Sequence, residues 1–143
     1  MTGSERDRDI QLVFKNMSEI NRRTNSRSRK LAASLSNVDY ALLRFIADTP
    51  GARAIDVAEA FYLNRSTVSR QVGALLELGL ARYGTEGGGR GKELELTEAG
   101  RRSLDASTAA HHEVVTQRLS SWSDQEIADF ALALARYNQA EQS

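Results

Sequence analysis

The 143-residue sequence contains no cysteine, which removes disulfides, thiolate metal sites, cysteine nucleophiles and thiol-based oxidant sensing. It carries no excess charge: 19 basic and 19 acidic residues cancel. Any nucleic-acid partner must therefore be met by local positive charge. No window approaches the roughly 18 apolar residues of a membrane span, and the opening "MTGSERDRDI" mixes acids with bases. A cytoplasmic protein with no membrane partner is expected. Gly-x-Ser-x-Gly, the phosphate-cradling Walker loop and metal-ligand helix motifs are also missing, and "EGGGRG" lacks the strand-to-helix context of a nucleotide loop. The expectation is of no enzyme, no cofactor and no metal.

What is present suits a folded chain. With 41% apolar and 27% charged residues it has enough apolar surface to offset the entropy of ordering, and its length fits a single domain over 1–143. Charge is unevenly spread. Residues 1–36 hold 8 bases and 4 acids, 37–59 hold 2 and 4, 60–102 hold 7 and 5, and 103–143 hold 2 and 6.

Apolar spacing divides the chain. Ile10, Val13, Phe14, Met17 and Ile20 make a narrow helical seam over 8–21. The basic run "RRTNSRSRK" follows and reads as a solvated helix end, with a phosphate contact as the alternative. Ser36 is a cap candidate for a helix with the stripe Val38, Leu42, Phe45 and Ile46, which stops near Asp48 before the sole proline. Residues 54–63 predict a short helix with Ile55, Ala58 and either Phe61 or Tyr62 inward. Asn64 then caps the next helix, marking a helix-turn-helix joint.

That next helix, about 65–78, holds the stretch "RSTVSRQV". A helix turns about 100° per residue, so Val68 and Val72 share one side while Ser66 and Arg70 point roughly the opposite way. Val68, Val72, Leu75 and Leu76 form the buried stripe, and Gly79 is the stop. Ser66 to Arg70 lie toward the N-terminus, where backbone N–H groups and the dipole favour anions. Two short extended runs around the glycine-rich 87–91 predict a hairpin, with Leu94 and Leu96 alternating with Glu93 and Glu95. Thr97 is a plausible cap for a helix over 98–120 with Leu104, His111, Val115 and Leu119 on one stripe. "SDQE" at 123–126 is a capping box opening a last helix.

A helix-turn-helix followed by a hairpin is a winged helix, whose second motif helix lies in the DNA major groove. The expected fold is mainly α with a small β-hairpin wing. A winged helix-turn-helix lobe over 36–97 would be flanked by dimerisation helices in 1–35 and 98–143. Through "LSNVDYALLRFI", "DVAEAFYLNRSTVSRQVGALLELGLARY" and "GGRGKELELTEAGR" the chain resembles MarR-family transcriptional regulators over most of residues 36–102.

The resemblance implies a homodimer on an inverted-repeat operator in double-stranded DNA, acting as a repressor that a small-molecule effector releases. It assigns major-groove readout to Arg65, Ser66, Thr67, Ser69, Arg70 and Gln71, with Arg70 foremost. The family's wing carries an Asp-x-Arg pattern; here Gly88 stands at the aspartate and Arg90 at the arginine, among four glycines in the five positions 87–91. Lys92 and Arg82 either hold the phosphate backbone or are a solvated strand edge.

Dimerisation also follows from size, since so small a chain cannot easily cover three apolar seams within one subunit. His111 and His112, adjacent on a helix, diverge by about 100° and read as core or interface residues rather than a metal pair. Tyr40, Phe45, Tyr62 and Trp122 read chiefly as core, with an effector pocket as the alternative. The rival function is a protein-interaction module that keeps the winged shape without binding DNA.

Overall fold

The structure, a computed structural model, describes residues 3–30, 35–84 and 92–140. In chain order it has α1 (Glu5–Lys30), α2 (Asn37–Asp48), α3 (Ala54–Phe61), α4 (Arg65–Glu77), β1 (Ala81–Tyr83), β2 (Leu94–Leu96), α5 (Glu98–Arg118) and α6 (Asp124–Gln139). Two compact units divide within α5, one ending at Ser107 and the other beginning at Thr108.

In the first unit, α1 is longer than its apolar seam. Ser4 Oγ accepts the Asp7 N–H at 3.1 Å, and Glu5 and Asp7 sit where the dipole favours anions. The basic run contains no glycine or proline, so the helix continues to Lys30. Ile10, Val13, Phe14, Met17 and Ile20 are all exposed, Phe14 by 72%.

The core of this unit is built by α2, α3, α4, both strands and the first turns of α5. Leu42, Leu43, Ile46, Val57, Val68, Val72, Leu75, Ala81, Leu94 and Leu104 pack together in it. Ser36 Oγ caps α2 by accepting the Asp39 N–H at 3.1 Å. The buried arc of α2 differs from the expected stripe: Leu43 is inside and Val38 is exposed. On α3, Val57 is fully buried while Ile55 is out. In both helices an alternative arc of similar apolarity meets the neighbouring elements, and contact partners select the face. Phe61 packs edge-to-face on Phe45 at 5.6 Å, whereas Tyr62 lies outside the core.

The strands form an antiparallel pair with Ala81 opposite Leu96, Arg82 opposite Glu95 and Tyr83 opposite Leu94. Leu94 N–H also donates to the Ala52 carbonyl at 2.7 Å, tying the hairpin to the link between α2 and α3. The chain is therefore a winged helix-turn-helix with further helices, mainly α as expected.

A tight joint binds the end of α4 to the start of α5. Thr97 N–H donates to the Leu80 carbonyl at 3.1 Å, and Thr97 Oγ1 donates to the Gly79 carbonyl while accepting the Gly100 N–H at 3.0 Å. Gly79, at φ +73°, makes the turn. Gly100 lies so close that a Cβ there would be 1.8 Å from the Leu80 carbonyl oxygen. Leu104 and Ser107 are buried, so α5 begins inside the lobe.

In the second unit, Ser123 makes the expected capping box. Its Oγ accepts the Glu126 N–H at 3.1 Å, and its own N–H donates to Glu126 Oε1 at 2.9 Å. Trp122 meets Phe130 edge-to-face at 5.2 Å. Along α6, Leu132, Leu134 and Tyr137 are exposed, Leu132 by 70%.

Gly100→Ala should lower the unfolding free energy by about 1–3 kcal/mol in a urea titration at fixed protein concentration, because the Leu80 backbone must move. Gly73→Ala, whose Cβ would meet nothing within 4 Å, should be neutral or stabilising by up to ~1 kcal/mol.

Candidate nucleic-acid interface

Helix α4 has two unlike sides. Val68, Val72 and Leu75 are buried against the rest of the lobe, while Arg65, Ser66, Ser69 and Arg70 are exposed and Thr67 is half-buried. Asn64 fixes where the helix starts: its Oδ1 accepts the Thr67 N–H at 2.8 Å and the Ser66 hydroxyl at 2.9 Å. The cap therefore stands as the sequence indicated, and it holds Ser66 with an acceptor lone pair still facing outward.

Charge distinguishes this end of α4 from the other described helix starts. Acids occupy the first turns of α1, α2, α3, α5 and α6, whereas α4 has none. The partial positive charge of its N-terminal N–H groups is thus uncompensated by a carboxylate of its own first turn. Arg44, Arg53, Arg82 and Arg102 are paired with Asp48, Glu93, Glu95 and Glu98. Among the described residues, Arg65 and Arg70 enter no such pair, so both guanidinium forks face solvent.

Gln71 is placed differently from its neighbours. It is half-buried, and its Oε1 is shielded from solvent without a hydrogen-bond partner among the described residues. The signal for this lies in the sequence, since Gln71 follows Val68 by three residues and precedes Leu75 by four, at the edge of the buried stripe.

On the wing, Arg82 Nε donates to Glu95 Oε1 at 2.7 Å across the strands. Lys92 is exposed, with Nζ 5.5 Å from the centre of the Tyr83 ring. Arg90 and Gly88 lie outside the described residues. Of the aromatics considered for an effector pocket, Tyr40 and Phe45 flank the core and Tyr62 is exposed. Trp122, with His112, Val115, Leu119 and Ile127, lines a groove of about 420 Å³ in the second unit.

Comparisons with known proteins agree with this geometry. The uncharacterised HTH-type transcriptional regulator YxaD of Bacillus subtilis is 35% identical over 114 residues, covering 79% of this chain and 80% of that protein. The model of the MarR family matches residues 33–91, from just before α2 to beyond β1. The chain belongs to the MarR family. As such it is a transcriptional regulator, and solved MarR-type structures share its fold. A MarR family protein from Bacillus stearothermophilus superposes with a TM-score of 0.83 at 19% identity, over 96% of this chain and 98% of that one. Streptococcus pneumoniae FabT, solved in complex with DNA, superposes at 0.77 with 19% identity, over 93% and 97% of the two chains.

In this MarR-family chain, Asn64→Ala should cost about 1 kcal/mol of stability and Asn64→Gly only a few tenths, because glycine keeps the cap backbone open to water. Paired thermal and urea unfolding curves of the two variants measure the difference.

Proposed function

We propose that the chain acts in the cytoplasm as a homodimeric repressor whose two α4 N-termini enter successive major grooves of an inverted-repeat operator. One observation carries the reading: the α4 N-terminus presents free guanidinium groups and hydroxyls outward while its aliphatic side is fixed in the core. Arg65 and Arg70 read guanine edges or clamp phosphate, and Ser66, Thr67 and Ser69 contact phosphate or base edges. Gln71 contributes if its amide turns out of the helix flank on binding. Lys92 holds the backbone beside the groove, and Arg90 enters the minor groove. FabT, which shares this fold, was solved in complex with DNA, and that supports duplex binding by this chain.

Dimerisation is supported by apolar surface on α1 in the first unit and, separately, on α6 in the second. Contiguous apolar patches on a surface mark interaction sites. In the dimer, the two α4 helices must sit about 34 Å apart to meet one side of the duplex. A small-molecule effector that prefers another spacing releases DNA, by no more than its differential affinity for the two states. The joint of Thr97 and Gly100 with Gly79 and Leu80 supports such coupling, because any displacement of the start of α5 is passed to the end of α4.

Footprinting on the DNA flanking its own gene should show protection over an inverted repeat, with affinity falling linearly in log–log form as salt rises. Arg70→Ala should cost about 1–3 kcal/mol and relax base preference at one position of each half-site. Equal affinity for every duplex before and after the substitution would contradict the readout role, and no binding to any duplex would favour the protein-interaction module. Phe14→Glu, in the middle of the exposed α1 seam, should shift sedimentation from dimer toward monomer.

A further inference from the structure

Tyr62 is the one described non-glycine residue with a positive φ, at φ 53° and ψ 43°. This left-handed conformation is adopted freely by glycine and at a cost by a residue carrying a Cβ. The turn demands it. Tyr62 N–H and Leu63 N–H both donate to the Ala58 carbonyl, reversing the chain so that Leu63 packs on the core and Asn64 starts α4.

The side chain gives the fold nothing in return. It is 94% exposed, and among the described residues it has no ring contact, hydrogen bond or ion pair, whereas its neighbour Phe61 packs on Phe45. An isolated exposed aromatic is unremarkable. An exposed aromatic at a backbone position that glycine would occupy more favourably is a different case, because such backbone outliers concentrate at functional positions. Tyr62 also stands in the turn two residues before the Asn64 cap, beside the end of α4 that bears Arg65 and Ser66.

We propose that Tyr62 is a DNA-contacting residue whose phenolic hydroxyl donates a hydrogen bond to a phosphate oxygen on the strand flanking the groove that α4 enters. In a helix-turn-helix, the first helix crosses the backbone while the second enters the groove, so the turn between them faces the phosphates. A phenol is a suitable neutral donor there, fixing register without carrying sequence information. The inference rests on the DNA-binding reading above and adds to it an uncharged contact.

The test uses the full chain with Tyr62→Gly and Tyr62→Phe. Thermal unfolding is measured alongside fluorescence anisotropy on the footprinted duplex over a range of salt. Tyr62→Gly should raise the unfolding midpoint and yet weaken DNA binding by about tenfold, since each of two half-sites loses a hydrogen bond. Tyr62→Phe should leave the midpoint unchanged and lose most of the same affinity. The salt slope should be the same for all three proteins, because no cation is removed.

A Tyr62→Gly protein that binds as tightly as the unmodified chain would overturn the contact. A Tyr62→Phe protein with full affinity would overturn the hydroxyl-to-phosphate bond, and a lowered midpoint in Tyr62→Gly would overturn the strain that motivates it. In each of these cases the unmodified chain still binds its operator. Failure of the unmodified chain to bind any duplex would instead sink the earlier reading.

Discussion

The burial of Val68, Val72 and Leu75 is the constraint on which the rest depends. Those three side chains fix the rotation of α4 about its own axis, and the polar residues between them are thereby fixed on the other side. A helix free to rotate would lose the orientation of every candidate contact together. Asn64 adds the second coordinate by setting where α4 begins, and hence which N–H groups are left for an anion.

The two ends of α4 are treated oppositely. Its N-terminus lacks an acid and stands beside exposed arginines, while its C-terminus is followed by a turn held through Thr97 and pressed against Gly100. One end is open to a ligand and the other is attached to the helix that leaves the lobe. This division suits a protein in which recognition happens at one end and control arrives at the other. The first compact unit runs to Ser107, with Leu104 and Ser107 packed inside it.

Features set by local chemistry were legible in the sequence: the caps at Ser36, Asn64 and Ser123, the stripe on α4, and the hairpin alternation at Leu94 and Leu96. Each depends on residues within about four positions of one another. Features set by packing were not. Both α2 and α3 offer more than one apolar arc, and only their neighbours decide for Leu43 over Val38 and for Val57 over Ile55. Helical spacing leaves either Phe61 or Tyr62 as the inward aromatic, and only the reversal of the chain at Tyr62 decides for Phe61. The need for glycine at position 100 depends on a backbone carbonyl twenty residues earlier, which no periodicity reveals.

The central claim is that two α4 helices are held rigidly at a spacing matched to the duplex. The missing cysteines make it directly measurable, since Ala74→Cys, exposed on α4, accepts one spin label per subunit. With operator DNA bound, pulsed dipolar spectroscopy should give one narrow inter-subunit distance distribution consistent with helices about 34 Å apart. No dipolar coupling between subunits, or a bound distance at which the two helices could not reach successive major grooves, would contradict the account.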